Sequence, residues 1–229
     1  MLGAGLAAKP KDMKTLQKRL AGPVFATCAA LAPAAVQAHP HIFVDTGLAV
    51  QIGAGGALEA VEVTWAYDEF YSLLIFEDLG LDPDADGVLT DDELARLKGF
   101  DLKWSAGYAG DTYLTRNEAP LALTAPEHLS TEVVDGRITT RHRRGLKAPV
   151  PAEAVVIRAY DPTYYTAYTV NQGVSVGAGC RAEITKPDPD RAYTLVEELL
   201  YAMPADQAEA AYPEVGEAFA DTVRLICGD

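Results

Sequence analysis

Ligand-bearing residues fall at the spacing of a calcium loop between residues 82 and 93. The stretch reads Asp-Pro-Asp-Ala-Asp-Gly-Val-Leu-Thr-Asp-Asp-Glu. A loop of the EF-hand type takes ligands from positions 1, 3, 5, 7, 9 and 12, with a glycine at position 6 for the sharp turn. The corresponding residues are Asp82, Asp84, Asp86, Val88 through its carbonyl, Thr90 and Glu93, with Gly87 at the turn. The pattern predicts a calcium site, and the alternative is an acidic turn that binds no ion.

Apolar periodicity on both sides of this loop predicts a helix entering it over residues 70–79 and a helix leaving it over 91–98. The sequence therefore predicts an EF-hand helix–loop–helix insertion at about residues 67–99. No second loop is visible, because the nearest candidate, near residue 188, has Tyr193 where the glycine belongs. Sensor loops usually work in pairs. We therefore interpret this one as a structural calcium site that holds a helical insertion in place.

The first 38 residues have the composition of a signal peptide. Five basic residues precede an apolar, alanine-rich stretch at 20–36, and small residues at 36 and 38 favour cleavage after Ala38. The mature chain would then begin at His39 and be periplasmic. The apolar stretch is too short and too interrupted by proline for a spanning helix, and no later run approaches one.

Cleavage would give His39 a free α-amine beside its own imidazole, which are two nitrogen donors within one chelate. Together with His41, or with His128 or His142, they could bind zinc, nickel, cobalt or copper. Pro40 has no N–H, so the square-planar mode that uses a deprotonated amide at residue 2 is excluded. The alternative is that His39 and His41 are polar residues at the start of a strand, and that the other two are exposed or buried in the core.

The chain is acidic. Residues 1–38 contain five of the 19 Lys and Arg and one of the 33 Asp and Glu, so the mature chain has 14 basic and 32 acidic side chains, a net charge of −18. This excess of negative charge argues against binding to nucleic acid and against general binding to membrane surfaces. One basic cluster stands out, formed by Arg137, Arg141, Arg143, Arg144 and Lys147. It predicts either a solvated strand face or a docking patch for an acidic partner.

Cys180 and Cys227 are the cysteines that remain after cleavage. An even pair in an exported chain predicts a disulfide. A pair of thiolate metal ligands is the alternative, and an oxidising compartment disfavours it.

Strand patterns dominate the mature chain. Apolar alternation predicts a hairpin over 42–65 with a turn at 53–56, and a second hairpin over 127–146 around Asp135-Gly136. An amphipathic helix is predicted at 191–202, a further helical piece at 205–211, and a strand within 219–227. We therefore expect a mainly β (α+β), sandwich-like single domain over residues 39–229, with the EF-hand insertion and a C-terminal helical segment. Cross-strand packing accounts for the aromatic residues Trp65, Tyr67, Tyr160, Tyr164, Tyr165 and Tyr168.

Four stretches together resemble one family. They are His-Pro-His-Ile-Phe at 39–43, Trp-Ala-Tyr-Asp-Glu-Phe-Tyr-Ser at 65–72, the Asp-rich loop, and Tyr-Asp-Pro-Thr-Tyr-Tyr at 160–165. The mature chain resembles, over nearly its whole length, an uncharacterised periplasmic domain-of-unknown-function family. That family is labelled as the periplasmic component of an uncharacterised ABC-type transport system and is associated with nickel, cobalt and zinc transport genes. The resemblance implies a role in handling divalent transition metals beside an inner-membrane permease.

Two functions remain from these observations. The first is a metal-binding accessory protein that uses the histidine terminus, and the second is a calcium-stabilised interaction module that docks on a permease through the basic cluster. An enzyme is not expected. Residues 173–177 match the Gly-x-Ser-x-Gly pattern, but no histidine follows to complete a triad.

Overall fold

Two long antiparallel strands begin the folded chain, β1 (Ile42–Ile52) and β2 (Ala57–Tyr67). The computed structural model describes residues 40–177, 179–204, 207 and 212–228. Apolar side chains of β1 and β2 alternate with polar ones, and their buried face includes Val63 and Trp65, at most 2% exposed. This face turns toward the core because successive strand residues point to opposite sides. The predicted first hairpin is confirmed.

The first sheet has five strands in the order β5-β6-β2-β1-β8. Its other strands are β5 (Glu127–Val134), β6 (Arg137–Pro151) and β8 (Thr166–Val176). Neighbouring strands are antiparallel except β1 and β8, which are parallel. Asp135 and Gly136 both have positive φ, 51° and 76°, as the tight turns of hairpins require. The predicted second hairpin is confirmed.

The second sheet also has five strands, in the order β4-β3-β7-β10-β9. They are β3 (Thr112–Arg116), β4 (Ala119–Pro120), β7 (Val155–Ala159), β9 (Cys180–Thr185) and β10 (Thr222–Cys227). The strand predicted within 219–227 is present, but it begins at Thr222 because Gly216–Phe219 forms a 3-10 turn.

Both sheets contribute to one apolar core. Val61 and Trp65 from the first sheet belong to the same buried cluster as Ile157, Val223 and Leu225 from the second. Their exposed fractions are 2% or less. Burial of such side chains stabilises the fold by about 1.5–3 kcal/mol each relative to exposure. The predicted mainly β class is confirmed.

Three α-helices interrupt the strand order. Helices α1 (Glu69–Leu79) and α2 (Asp91–Leu97) lie between β2 and β3, and α3 (Pro189–Ala202) lies between β9 and β10. In the part of the chain that the structure describes, no helix is long and apolar enough to cross a membrane. The predicted signal peptide at 1–38 falls outside the described residues, and so does all but residue 207 of the predicted helical piece at 205–211.

Cys180 and Cys227 form the predicted disulfide. They lie directly opposite each other in the antiparallel pair of β9 and β10. The two residues are 47 apart in sequence, and helix α3 is part of the intervening chain. The bond therefore joins both ends of this segment and fixes β9 at the edge of the second sheet.

Replacing both cysteines with serine (C180S/C227S) should lower the free energy of unfolding by about 3–4 kcal/mol, because an open chain gains the loop-closure entropy of this segment. Urea unfolding of the oxidised parent and the variant measures the difference. Dithiothreitol should reduce the parent to the stability of the variant and leave the variant unchanged. Equal stability of the oxidised parent and the variant would contradict this role.

Candidate functional site

The loop at residues 82–93 is held in shape by its own carboxylates. Asp82 accepts hydrogen bonds from the backbone N–H groups of Asp86 and Gly87 at 3.0 and 3.1 Å, and Asp86 accepts one from Val88 N–H at 2.8 Å. Gly87 has φ of 77°, a conformation that costs glycine little. The glycine thus stands where the predicted loop needs its turn.

Three carboxylates converge at the start of this loop. One oxygen each from Asp82, Asp84 and Asp86 lies within 4.8 Å of the other two. Like charges this close repel one another. An all-oxygen donor set fits a hard cation such as calcium better than a soft transition metal. The residues present therefore fit calcium, and these three would supply its first ligands.

Glu93 and Thr90 close the loop onto α2. The Glu93 carboxylate accepts hydrogen bonds from Thr90 N–H at 2.8 Å and from Thr90 Oγ1 at 2.7 Å. Its other oxygen accepts one from Asp82 N–H at 2.9 Å, which joins the two ends of the loop. The hydrogen bonds from Thr90 are the main cause that lowers the pKa of Glu93. Glu93 thus remains ionised, as a metal ligand at position 12 must be.

Both helices fix the loop to the protein body. Phe76 from α1 and Leu97 from α2 are 7% and 0% exposed and belong to the core cluster. Arg96 of α2 donates hydrogen bonds to the carbonyls of Leu79 and Gly80 at 3.0 and 3.2 Å, where α1 ends. Those carbonyls carry partial negative charge, so the guanidinium stabilises them.

The four histidines lie in different environments. His39 is outside the described residues. His41 lies just before β1 with its ring 4.8 Å from that of Tyr165. His128 contacts Thr131 Oγ1 through Nε2 at 2.9 Å. Among the described residues, the group of three or more potential metal ligands that comes together is that of the three loop aspartates.

His142 lies directly opposite His128 in the β5–β6 pair, as expected for the two arms of that hairpin. It is 0% exposed, and its ring packs against those of Trp65 and Trp104 at 4.6 and 5.8 Å. Burial, together with the nearby Arg144 charge, lowers the pKa of His142 to about 3. The imidazole is therefore neutral at physiological pH, and among the residues that the structure describes neither ring nitrogen has a hydrogen-bond partner.

Most of the basic cluster is paired within the chain. Arg137 contacts Asp45 at 2.8 Å, Arg141 contacts Glu62 at 2.8 Å, and Arg143 contacts Glu127 at 3.4 Å. These acids lie on strands beside β6 or one strand further away.

Arg144 is 6% exposed, donates to the Thr124 and Ala109 carbonyls, and stacks 4.8 Å over Trp104. Lys147 is exposed. The docking patch thus remains a prediction, and acidic residues on the strands of the same sheet already neutralise three of its five positive charges.

A cavity of about 530 Å³ contains polar residues that the sequence patterns missed. We call it the tyrosine–aspartate cavity, after the residues of its lining that bear on function: Trp65, Tyr67, Tyr108, Tyr168, Asp101 and Asp111. The sequence predicts packing roles for Trp65, Tyr67 and Tyr168, and Trp65 does pack against Tyr168 at 5.6 Å. No local motif marks the two aspartates, which lie on the connection between α2 and β3, Asp101 in a 3-10 turn and Asp111 just before β3.

Each of these aspartates uses one carboxylate oxygen. Asp101 Oδ2 accepts from Tyr67 OH at 3.1 Å and from Thr140 Oγ1 at 2.6 Å, and Asp111 Oδ2 accepts from Tyr168 OH at 2.9 Å. The Oδ1 atoms of both residues are buried and accept no hydrogen bond from the described residues. Burial is the main cause that raises the pKa of Asp111 to about 6 and that of Asp101 above its usual value.

A model of the family described as protein of unknown function (DUF1007) matches residues 24–227. The chain belongs to the DUF1007 family. Both the 82–93 loop and the tyrosine–aspartate cavity lie inside the matched region. A comparison with curated proteins finds no match. Membership of DUF1007 thus defines the domain.

The pH dependence of stability should report Asp111. Its pKa in the folded protein, about 6, is above the ordinary value of 3.8, so the folded chain binds this proton more tightly than the unfolded chain. Stability from this group is therefore lost as the pH rises from about 4 to 6, by up to about 3 kcal/mol. Asp111→Asn should remove that loss, so the variant gains stability relative to the parent over this range.

Urea unfolding of both proteins at pH 4, 5, 6 and 7 measures this difference. Asp92→Asn, at an exposed position of α2, serves as the control and should run parallel to the parent. Parallel curves for Asp111→Asn and the parent would show that Asp111 has an ordinary pKa.

Proposed function

We propose that this protein is an exported, periplasmic metal-binding accessory protein of a divalent transition-metal transport system, with a structural calcium ion in its 82–93 loop. The observation that supports metal binding most directly is the convergence of Asp82, Asp84 and Asp86 within 4.8 Å. The disulfide is in keeping with an oxidising compartment. The signal peptide predicted at 1–38, cleaved after Ala38, is the route of export in this proposal.

Calcium has a structural role in this proposal. The loop connects two helices whose apolar residues pack into the core, and Arg96 already joins the end of α1 to α2. A cation at the three aspartates would cancel their repulsion and hold the helix pair together. The backbone carbonyl of Val88, Thr90 and the Glu93 carboxylate would complete the shell in the EF-hand manner.

Calcium should raise the thermal stability of the parent and of Asp92→Asn but not that of Glu93→Gln or Asp84→Asn. Binding to the folded state alone adds about 2.7 kcal/mol at a calcium concentration 100 times the Kd. Glutamine at 93 can still cap α2, so the comparison isolates the carboxylate charge. Thermal unfolding in EGTA and in calcium measures the gain in stability, and calorimetric titration measures the Kd for calcium.

Two results would refute the calcium site. One is a parent whose unfolding is the same in EGTA and in millimolar calcium. The other is an Asp92→Asn variant that loses as much calcium response as Glu93→Gln, since this would indicate a nonspecific effect of acidic surface. Magnesium at equal concentration checks that the response is selective for calcium.

The transition-metal part of the proposal depends on the mature N-terminus. His41 lies immediately before β1, and its backbone N–H donates to the Tyr165 carbonyl at 2.8 Å, so the terminus would start two residues from a fixed point. The α-amine and imidazole of His39, with His41, would bind zinc, nickel, cobalt or copper. His128 and His142 lie away from this terminus, since both pair across the sheet at the level of Val63 and Leu48, seven residues along β1 from His41. A membrane permease would receive the ion.

One added glycine before His39 should weaken binding of zinc, nickel or copper by about tenfold or more, because it moves the α-amine away from the imidazole. His39→Ala/His41→Ala should weaken it at least as much. Competition titrations against a chromophoric chelator, with calcium in excess, measure these affinities. Unchanged affinity in both altered chains would remove the N-terminal site from the proposal.

A second function, a calcium-stabilised interaction module, is favoured by one observation. Helix α1, which leads into the calcium loop, exposes Phe70 and Leu73 in its first half, 68% and 62%. Apolar residues that remain exposed together are typical of contact surfaces. A calcium-dependent stability with no effect of the N-terminal changes would favour this function over metal delivery.

A further inference from the structure

The tyrosine–aspartate cavity is distinct from both proposed metal sites. No residue of the 82–93 loop lines it, and neither does any described histidine. It lies where the ends of β1, β2 and β8 meet the segments around Asp101 and Asp111. A volume of about 530 Å³ is in the usual range for pockets that hold small molecules, roughly 300–1,000 Å³.

In the described part of the chain, three buried polar atoms of lining residues make no hydrogen bond: Oδ1 of Asp101, Oδ1 of Asp111 and Nε1 of Trp65. Asp111 is 5% exposed, and the Tyr108 hydroxyl lies close enough to its carboxyl to offset part of the rise in its pKa. Burial raises the pKa of Tyr67 and Tyr168, so both hydroxyls stay protonated, and each donates to an Oδ2 atom. A buried acceptor without a donor is costly.

The lining is also negative and aromatic. Among the described residues that line the cavity are Asp101, Asp111, Asp161 and Glu214, but no lysine, arginine or histidine. Trp65, Tyr67, Tyr71, Tyr108 and Tyr168 form much of the remaining wall. Aromatic faces attract cations, and more strongly where water is excluded. The lining therefore favours a positively charged occupant.

The arrangement disfavours a directly coordinated metal ion. Within the described chain, no three ligand atoms of this cavity's carboxylates come together as those of the loop aspartates do. Asp161 is occupied as well, because its carboxylate accepts from Thr163 and Thr166 N–H at 2.9 and 3.1 Å. Two separate carboxylates and a hydrocarbon-lined wall fit a larger cation better.

We propose that the tyrosine–aspartate cavity binds a small organic ammonium or guanidinium ion. Its positive charge lies beside the carboxylates of Asp101 and Asp111, and its carbon chain lies against Trp65 and the tyrosine rings. This site goes beyond the proposed metal function and shares no ligand with it. Burial raises the pKa of both aspartates, and a bound cation would lower it again by supplying an opposite charge.

Calorimetric titration tests the site with four probes at pH 7.5 and constant excess calcium: butylamine, putrescine, guanidinium and, as an uncharged match, butanol. Trp65 lines the cavity, so its fluorescence should change as a probe binds. We expect saturable binding of at least one N–H-bearing cation and none of butanol. Asp111→Asn and Asp101→Asn should each weaken that binding about tenfold or more, and Asp92→Asn should not.

Several results would overturn the proposal. They are no saturable binding of any amine or guanidinium probe, equal binding by the parent and Asp111→Asn, and amine binding that Asp92→Asn weakens as strongly. Binding of zinc or nickel that depends on Asp101 and Asp111, without amine binding, would reassign the cavity to a metal. Circular dichroism of each variant confirms folding, and Asp101→Asn provides the same test should Asp111→Asn unfold. Failure here leaves the calcium and N-terminal measurements unaffected.

Discussion

Asp68 directly follows β2, and its carboxylate joins the end of this strand to β1 and α1. The calcium loop and the tyrosine–aspartate cavity both depend on how these three elements meet. One oxygen accepts Tyr71 N–H at 2.8 Å and caps α1, and the other accepts Phe43 N–H at 2.8 Å at the start of β1. The backbone N–H of Asp68 donates in return to the Phe43 carbonyl. Helix caps of this kind contribute about 0.5–2 kcal/mol. Here the same side chain also sets where the helix pair leaves the first sheet and where the histidine segment enters it.

The helix pair then serves two regions at once. Its far end is the acidic loop, held by Arg96 and by the Glu93–Thr90 cap. Its near end supplies Tyr71 to the tyrosine–aspartate cavity, and the turn after α2 supplies Asp101. Asp101 in turn accepts from Tyr67 on β2 and Thr140 on β6. The insertion is therefore tied to the first sheet through polar contacts as well as through its apolar residues.

Features with a local cause could be predicted from the sequence. The Asp135-Gly136 hairpin, the glycine of the loop and the pairing of two cysteines each follow from a few neighbouring residues. The cavity could not be predicted, because Asp101 and Asp111 become partners of Tyr67 and Tyr168 only through tertiary packing.

The burial of His142 lies between these cases. Every second residue of β6 points inward, namely Ile138, Thr140, His142 and Arg144. Three of these four residues are polar, so a search for alternating apolar residues does not detect this buried face. The partners of the basic cluster were hidden for a different reason, since cross-strand neighbours are known only once the strand order is known.

The parallel pairing of β1 with β8 has a consequence for the order of folding. Asn171 on β8 donates to Asp45 on β1 from a distance of 126 residues in sequence. At synthesis rates of about 5–20 residues per second, the second strand follows the first by roughly 6–25 s. During that interval β1 can pair with β2 but has one open edge, which is prone to wrong pairing. Completion of the first sheet must therefore wait until most of the chain has been made.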